Sequence, residues 1–199
     1  LYDRMSGSIP SCIDKMSSLV FLNVGYNHYT GTLPSELGNI PPMGKLRLEY
    51  NHFSGSLPSA LCNLQSLSYL DIAMNNVTGT IPSCIGSHTL LTILSFFVNK
   101  LSGTIPADMS KLVNLKKLFL NFNKFVGTLP SVDLLSNLEL YAANHNQFTG
   151  TLPSLWPDHI TALWVQDNYL TGTLPSGLGT ITNLLDVIGL NNYFTGTIP

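Results

Sequence analysis

A pentapeptide, Ser/Thr-Gly-Ser/Thr-Ile/Leu-Pro, recurs nine times along the 199-residue chain, with one valine exception. Its glycines are Gly7, Gly31, Gly55, Gly79, Gly103, Gly127, Gly150, Gly172 and Gly196, at intervals of 24, 24, 24, 24, 24, 23, 22 and 24 residues. Self-similarity at this period marks an array of stacked coils rather than a globule. A unit of two dozen residues cannot bury its own apolar face. Neighbours stacked against it can, and the result is one continuous core.

Four residues before each glycine stands an asparagine: Asn27, Asn51, Asn75, Asn99, Asn123, Asn146, Asn168 and Asn192, with Asp3 in the first copy. Ahead of it runs L-x-x-L-x-L-x-x-N-x-L, clearest in Leu115, Leu118, Leu120, Asn123 and Phe125. The alternation within L-x-L predicts a strand with apolar side chains inward. A proline in every copy argues against long helices. Repeats start near residues 19, 43, 67, 91, 115, 138, 160 and 184, after a partial repeat over 1–18, and residues 1–199 are expected to form a single solenoid. Eight strands about 4.8 Å apart would give a spine of roughly 35–40 Å. The repeated asparagine sits where the chain leaves the strand. A buried amide there is expected to pair backbone groups of its own coil and the next, at a cost of about 1–3 kcal/mol for each group stranded by its loss.

These motifs make the chain resemble plant-type leucine-rich repeat proteins, whose consensus L-x-x-L-x-L-x-x-N-x-L-[ST]-G-x-[IL]-P is matched over essentially all 199 residues. Similar repeats occur in the ectodomains of receptor-like kinases and receptor-like proteins, and in polygalacturonase-inhibiting proteins. The resemblance implies a predominantly β, right-handed superhelix of the α/β repeat type, with a parallel sheet on the concave side and a second short strand at Thr-Gly-Thr. It also implies an extracellular or cell-surface setting, and ligands read by the outward residues of the concave strands. The capping segments of the family, often with paired cysteines, are absent, and the pattern is still running at Pro199, so the sequence reads as an uncapped fragment. Two segments, around Val132–Leu138 and Leu155–Ile160, are one and two residues short, and Gly189 occupies an inner leucine position, where a packing defect is expected.

The outward strand positions give three columns. The middle one reads Asn23, Arg47, Asp71, Ser95, Phe119, Ala142, Trp164, Ile188. Two positions on, it reads Gly25, Glu49, Ala73, Phe97, Asn121, Asn144, Gln166, Leu190, and the next reads Tyr26, Tyr50, Met74, Val98, Phe122, His145, Asp167, Asn191. With Tyr69 added, the candidate ligand-binding residues are Tyr26, Tyr50, Tyr69, Phe97, Phe119, Phe122, His145 and Trp164. A contiguous aromatic patch on such a face marks a binding surface, and its weak charge suits a protein or peptide partner. A co-receptor or an end-to-end neighbour is a further candidate. Lys45, Arg47 and Glu49 in one coil, and Lys116 and Lys117 in another, could fix the register of a ligand, though such groups are more often solvated surface, where ion pairs contribute under about 1 kcal/mol.

A second surface competes. In the Ser/Thr-Gly-Ser/Thr runs, seventeen of eighteen flanking positions carry a hydroxyl, Val126 being the exception. In the family the second position varies freely. The ladder includes Thr30, Thr32, Thr78, Thr80, Thr104, Thr128, Thr149, Thr151, Thr171 and Thr173. Such a ladder would space hydroxyls about 4.8 Å between coils and roughly 6.7 Å along each strand, which resembles the Thr-x-Thr faces of ice-binding β-solenoids. Threonine also simply suits an exposed strand.

Only 10% of residues are charged, and the net charge is −2. No basic run exists to track phosphates, which excludes a nucleic-acid partner. No apolar run is long enough to span a bilayer, so a membrane link would come only through parts outside this sequence. Cys12, Cys62 and Cys84 are odd in number and show no paired spacing, and they read as small apolar fillers. No GxSxG, HExxH or phosphate-binding glycine loop is present, so no catalytic residue, cofactor or metal is expected. His28 and His52 with Glu49 make a conceivable metal site, but exposed turn histidines are the plainer reading. Asn76-Val77-Thr78 is an N-x-S/T sequon at a position expected to be exposed.

Overall fold

The computed structural model describes residues 4–198. Asp3, the first member of the asparagine series, lies outside them. Strands Phe21–Asn23, Lys45–Arg47, Tyr69–Asp71, Ile93–Ser95, Lys117–Phe119, Leu140–Ala142, Ala162–Trp164 and Asp186–Ile188 pair in chain order into one parallel sheet. Their register has no offset, so Leu46, Leu70, Leu94, Leu118, Tyr141 and Leu163 stand side by side, all inside the core. The leucine-rich solenoid and its concave parallel sheet follow from this packing.

Three residues beyond each strand stands a corner residue in the left-handed region: Tyr26, Tyr50, Met74, Val98, Phe122, His145, Asp167 and Asn191, with φ from 49° to 57°. Non-glycine residues seldom adopt it, and a β-branched one such as Val98 least of all. The asparagine that follows holds the corner. Asn75 Nδ2 donates to the carbonyls of Ile72 and Ala73 in its own coil and of Leu48 in the coil before, while its Oδ1 accepts from the Phe53 N–H of that earlier coil. Equivalent bonds recur at Asn51, Asn123, Asn146 and Asn168. The inter-coil partner is thus the preceding coil, not the next one as expected from the sequence.

The second ladder departs further from expectation. Its strands are parallel but slip by two residues per coil: Ser54 pairs with Asn76 and Ser56 with Thr78, and Thr78 with Lys100. The second hydroxyl of one coil therefore neighbours the first hydroxyl of the next, as in the Thr32–Ser54 bridge. Each central glycine has a positive φ, 78° at Gly79, so the run is not a regular extended strand. A Cβ on Gly103 would stand 2.8 Å from the Thr80 methyl. The hydroxyls of Thr30, Thr149, Thr171 and Thr195 donate across coils to glycine carbonyls at 3.3–3.4 Å. The slip makes the hydroxyl lattice oblique, and the close approach of the threonine methyls accounts for the glycine between them.

The convex side carries short 3-10 turns, Ser11–Lys15, Ser35–Asn39, Ser59–Asn63, Ser83–Ser87, Ala107–Lys111 and Ser176–Thr180. The two shortened segments have none, and beside them, along Thr128, Asp133, Ser154 and Leu155, opens a cleft of about 390 Å³. Stacking here is close: a Cβ on Gly86 would sit 2.1 Å from the Asp108 carbonyl oxygen. Cys62 occupies the corresponding glycine position one coil earlier. It forms a disulfide with Cys84, with Cα atoms 5.8 Å apart, which corrects the reading of both as fillers. Their coils cannot approach as the glycine junctions do, and a covalent bridge spans the gap. Cys12 is a free, exposed thiol, so it is not a filler either.

Aromatic residues replace leucines at several inner positions. Tyr141 is fully buried, with the Trp156 ring edge-on at 5.4 Å, and burial pushes its phenol far above the usual tyrosine range. Phe194 stands over Gly189, 3.2 Å from where a Cβ would be, and fills part of the expected defect.

Candidate functional site

The in-register strands place Asn23, Arg47, Asp71, Ser95, Phe119, Ala142, Trp164 and Ile188 in one row across the concave face. The strand geometry positions this row. The left-handed corners position the row led by Tyr26 and Tyr50, turning those side chains out over the rim. Tyr26 and Tyr50 stack at 4.4 Å between centroids. Phe97 meets Phe122 edge-on at 5.8 Å, and Phe122 stacks on His145 at 4.1 Å. His145 Nε2 in turn lies 3.2 Å from Asp167 Oδ2. The strip thus runs unbroken from Phe97 to Asp167. Trp164 stands apart from it, its indole N–H donating to Asp186 Oδ2 at 2.7 Å.

Beneath the rim, Asn121, Asn144 and Gln166 occupy successive coils of one column. Asn121 and Asn144 are buried, and each of the three has a carbonyl oxygen with no hydrogen-bond partner. Unpartnered buried acceptors are costly.

Tyr26, Arg47, Glu49, Tyr50, Asp71, Phe97 and Phe119 line an open cleft of about 200 Å³. Arg47 bonds to Glu49 and lies over the Tyr69 ring at 5.7 Å. Glu49 is only 3% exposed, which corrects its reading as solvated surface. Burial pushes the Asp71 carboxyl up, with the Glu49 charge adding to it, against the Ala73 N–H that donates to Asp71 Oδ1. Burial likewise raises the Tyr69 phenol. For Arg47, burial works downward, but the bond to Glu49 prevails and the net direction is up.

The other candidates fall elsewhere. Asn76 is half-buried at the start of a strand of the second ladder, and its sequon partner Thr78 is exposed. His28 and His52 are exposed and stack at 5.8 Å, while the Glu49 carboxylate is turned to Arg47. Among the described residues no cluster of His, Cys, Asp and Glu is arranged to hold a metal ion, and no helix is long and apolar enough to cross a membrane. Thr30, Thr32, Thr78, Thr80, Thr104, Thr128, Thr149, Thr151, Thr171 and Thr173 are all exposed. Sequence reasoning missed the Arg47–Glu49–Asp71 cluster, because Glu49 is buried only where Gly25 in the coil before leaves room for it.

The chain carries leucine-rich repeats, and its fold is the leucine-rich repeat solenoid. The Leucine Rich Repeat family profile matches residues 18–40, 44–64 and 66–88. No curated protein sequence matches the chain. Among solved structures it is similar to the plant peptide hormone receptor RGFR1 in complex with RGF2, at 31% identity and a TM-score of 0.96, covering 98% of this chain and 32% of the receptor chain. It is also similar to the Arabidopsis receptor kinase HAESA in complex with the peptide hormone IDA and the co-receptor SERK1. There the identity is 34% and the TM-score 0.95, over 98% of this chain and 33% of the other. A plant ice-binding protein matches at 25% identity and a TM-score of 0.80, over 98% of this chain and 66% of that protein. The chain spans about a third of the length of the two receptor chains.

Proposed function

We propose that this chain is a non-catalytic recognition module, part of an extracellular ectodomain, that binds a protein or peptide ligand across its concave face. One observation carries the reading: an aromatic strip, Phe97 to His145, lies beside a row of buried amides with unpartnered acceptors. Aromatic anchors supply contact area and the amides take up main-chain donors, a combination suited to an extended peptide. The peptide-bound state of the similar receptors supports it. The test selects peptides from a random displayed library on the wild-type protein. Their affinity is expected to fall roughly 30-fold or more, the weight of an interface hot spot, on Phe119→Asp combined with Phe122→Asp. Peptides indifferent to both changes would refute the assignment.

A second reading has its own support in the similarity to a plant ice-binding protein and in the exposed hydroxyl ladder. Under it, Thr80→Lys with Thr104→Lys abolishes ice shaping and thermal hysteresis, while the Phe119 and Phe122 changes leave them intact. The two-residue slip of the ladder, which tilts the hydroxyl lattice, favours the first reading.

A further inference from the structure

The cleft beneath Tyr26 and Tyr50 has a charge pattern that the aromatic strip alone does not require. Three charged groups act on it, Arg47, Glu49 and Asp71, and their formal sum is negative. Arg47 bonds through Nη2 to one carboxylate oxygen of Glu49 and lies over Tyr69, while its buried Nε has no partner. The other oxygen, Glu49 Oε2, has no partner, although the side chain is only 4% exposed. Space for this carboxylate comes from the preceding coil. A Cβ on Gly25 would stand 2.9 Å from Glu49 Cδ, so any other residue at that position would displace it.

We infer that this cleft receives the basic side chain of a peptide ligand, with its charged head on Glu49 Oε2 beside Asp71 and its methylene stem between Tyr26, Tyr50, Phe97 and Phe119. The chemistry follows from three causes. A buried carboxylate oxygen without a donor carries a desolvation penalty that an arriving N–H offsets. Aromatic faces attract a cation and cover an aliphatic stem. The stacking of Arg47 over Tyr69 shows a cation already seated this way at the cleft. An anion is disfavoured, because the Arg47 charge is already met by Glu49 and Asp71 adds a second negative charge. The assignment rests on the concave face being the peptide-binding face and adds one specificity to it.

The test uses two neutral-backbone probes of nearly equal shape, Nα-acetyl-lysinamide and Nα-acetyl-norleucinamide, titrated into the labelled full chain and followed by backbone amide NMR shifts. The lysine probe is expected to give saturable shifts confined to Gly25, Glu49, Asp71 and Ala73, and the norleucine probe to bind roughly tenfold or more weakly. Glu49→Gln should erase that preference. Asp71→Asn keeps an acceptor for the Ala73 N–H and should weaken the lysine probe in a chain whose remaining spectrum is unchanged. Equal response to both probes, shifts elsewhere, or a preference that survives both substitutions would overturn the cation site. Library peptides that depend on Phe119 but tolerate norleucine at every basic position also overturn it, and leave the peptide reading standing. If the lysine probe binds as expected but no library peptide depends on Phe119, the peptide reading fails and the cation site holds.

Discussion

Replacing Asn75 with leucine tests what holds the coils together. Asn75 is 7% exposed and makes four side-chain hydrogen bonds. Three go to carbonyls that keep another donor: Leu48 O retains Asn51 Nδ2, Ile72 O retains Asn99 Nδ2, and Ala73 O retains the Tyr50 N–H. The fourth partner, the Phe53 N–H, has no such substitute, and Phe53 is buried at 1% exposure. One buried donor left unmade costs about 1–3 kcal/mol, and weakening the three carbonyls brings the expected total to about 2–4 kcal/mol. Asn76→Ala, one residue on and half-buried, should change stability by under about 1 kcal/mol. Urea unfolding followed by far-UV circular dichroism measures the difference. Amide hydrogen exchange then locates it, with protection lost first at Phe53, in the coil before the substitution. Loss of under about 0.5 kcal/mol, or protection lost only in the coils after Asn75, would refute the view that the side chain ties each coil to its predecessor.

Other outcomes follow from the convex side. Gly86→Ala must displace the Asp108 backbone and should cost about 1–3 kcal/mol in the same urea assay. Gly44→Ala, whose nearest neighbour would be 3.6 Å away, should be tolerated. Thiol titration of the native chain should find one reactive cysteine, Cys12, and three after reduction under denaturing conditions. Reduction opens a link between positions 22 residues apart and should lower stability by about 3 kcal/mol.

The period made the solenoid legible in the sequence, because spacing alone locates the inward leucines and the asparagine that follows each corner. Register and pairing were harder to read, since both depend on which residues of adjacent coils meet. The second ladder slips by two residues and its glycines turn through positive φ, and a repeat length of 24 contains no trace of either. The disulfide was hidden for a related reason. On the convex side contacts step by 22 residues, so Gly38 meets Ala60 and Gly86 meets Asp108; Cys62 and Cys84 fit that step, not the repeat. The aromatic columns could be written out from the sequence, but the burial of Glu49 could not. It is set by a glycine in the neighbouring coil rather than by its own surroundings in the chain.

In a stack where every coil inherits its orientation from the one before, a change of tilt at one junction is carried undiminished to all that follow. The Cys62–Cys84 bond clamps the junction between the coil that holds Tyr50 and the one that holds Tyr69. Cutting it would leave each side chain of the front surface in its own coil while swinging Phe119 and Trp164 together, like the far end of a lever, relative to Tyr26 and Tyr50. A ligand long enough to touch both halves would then feel a bond that lies on the opposite side of the molecule.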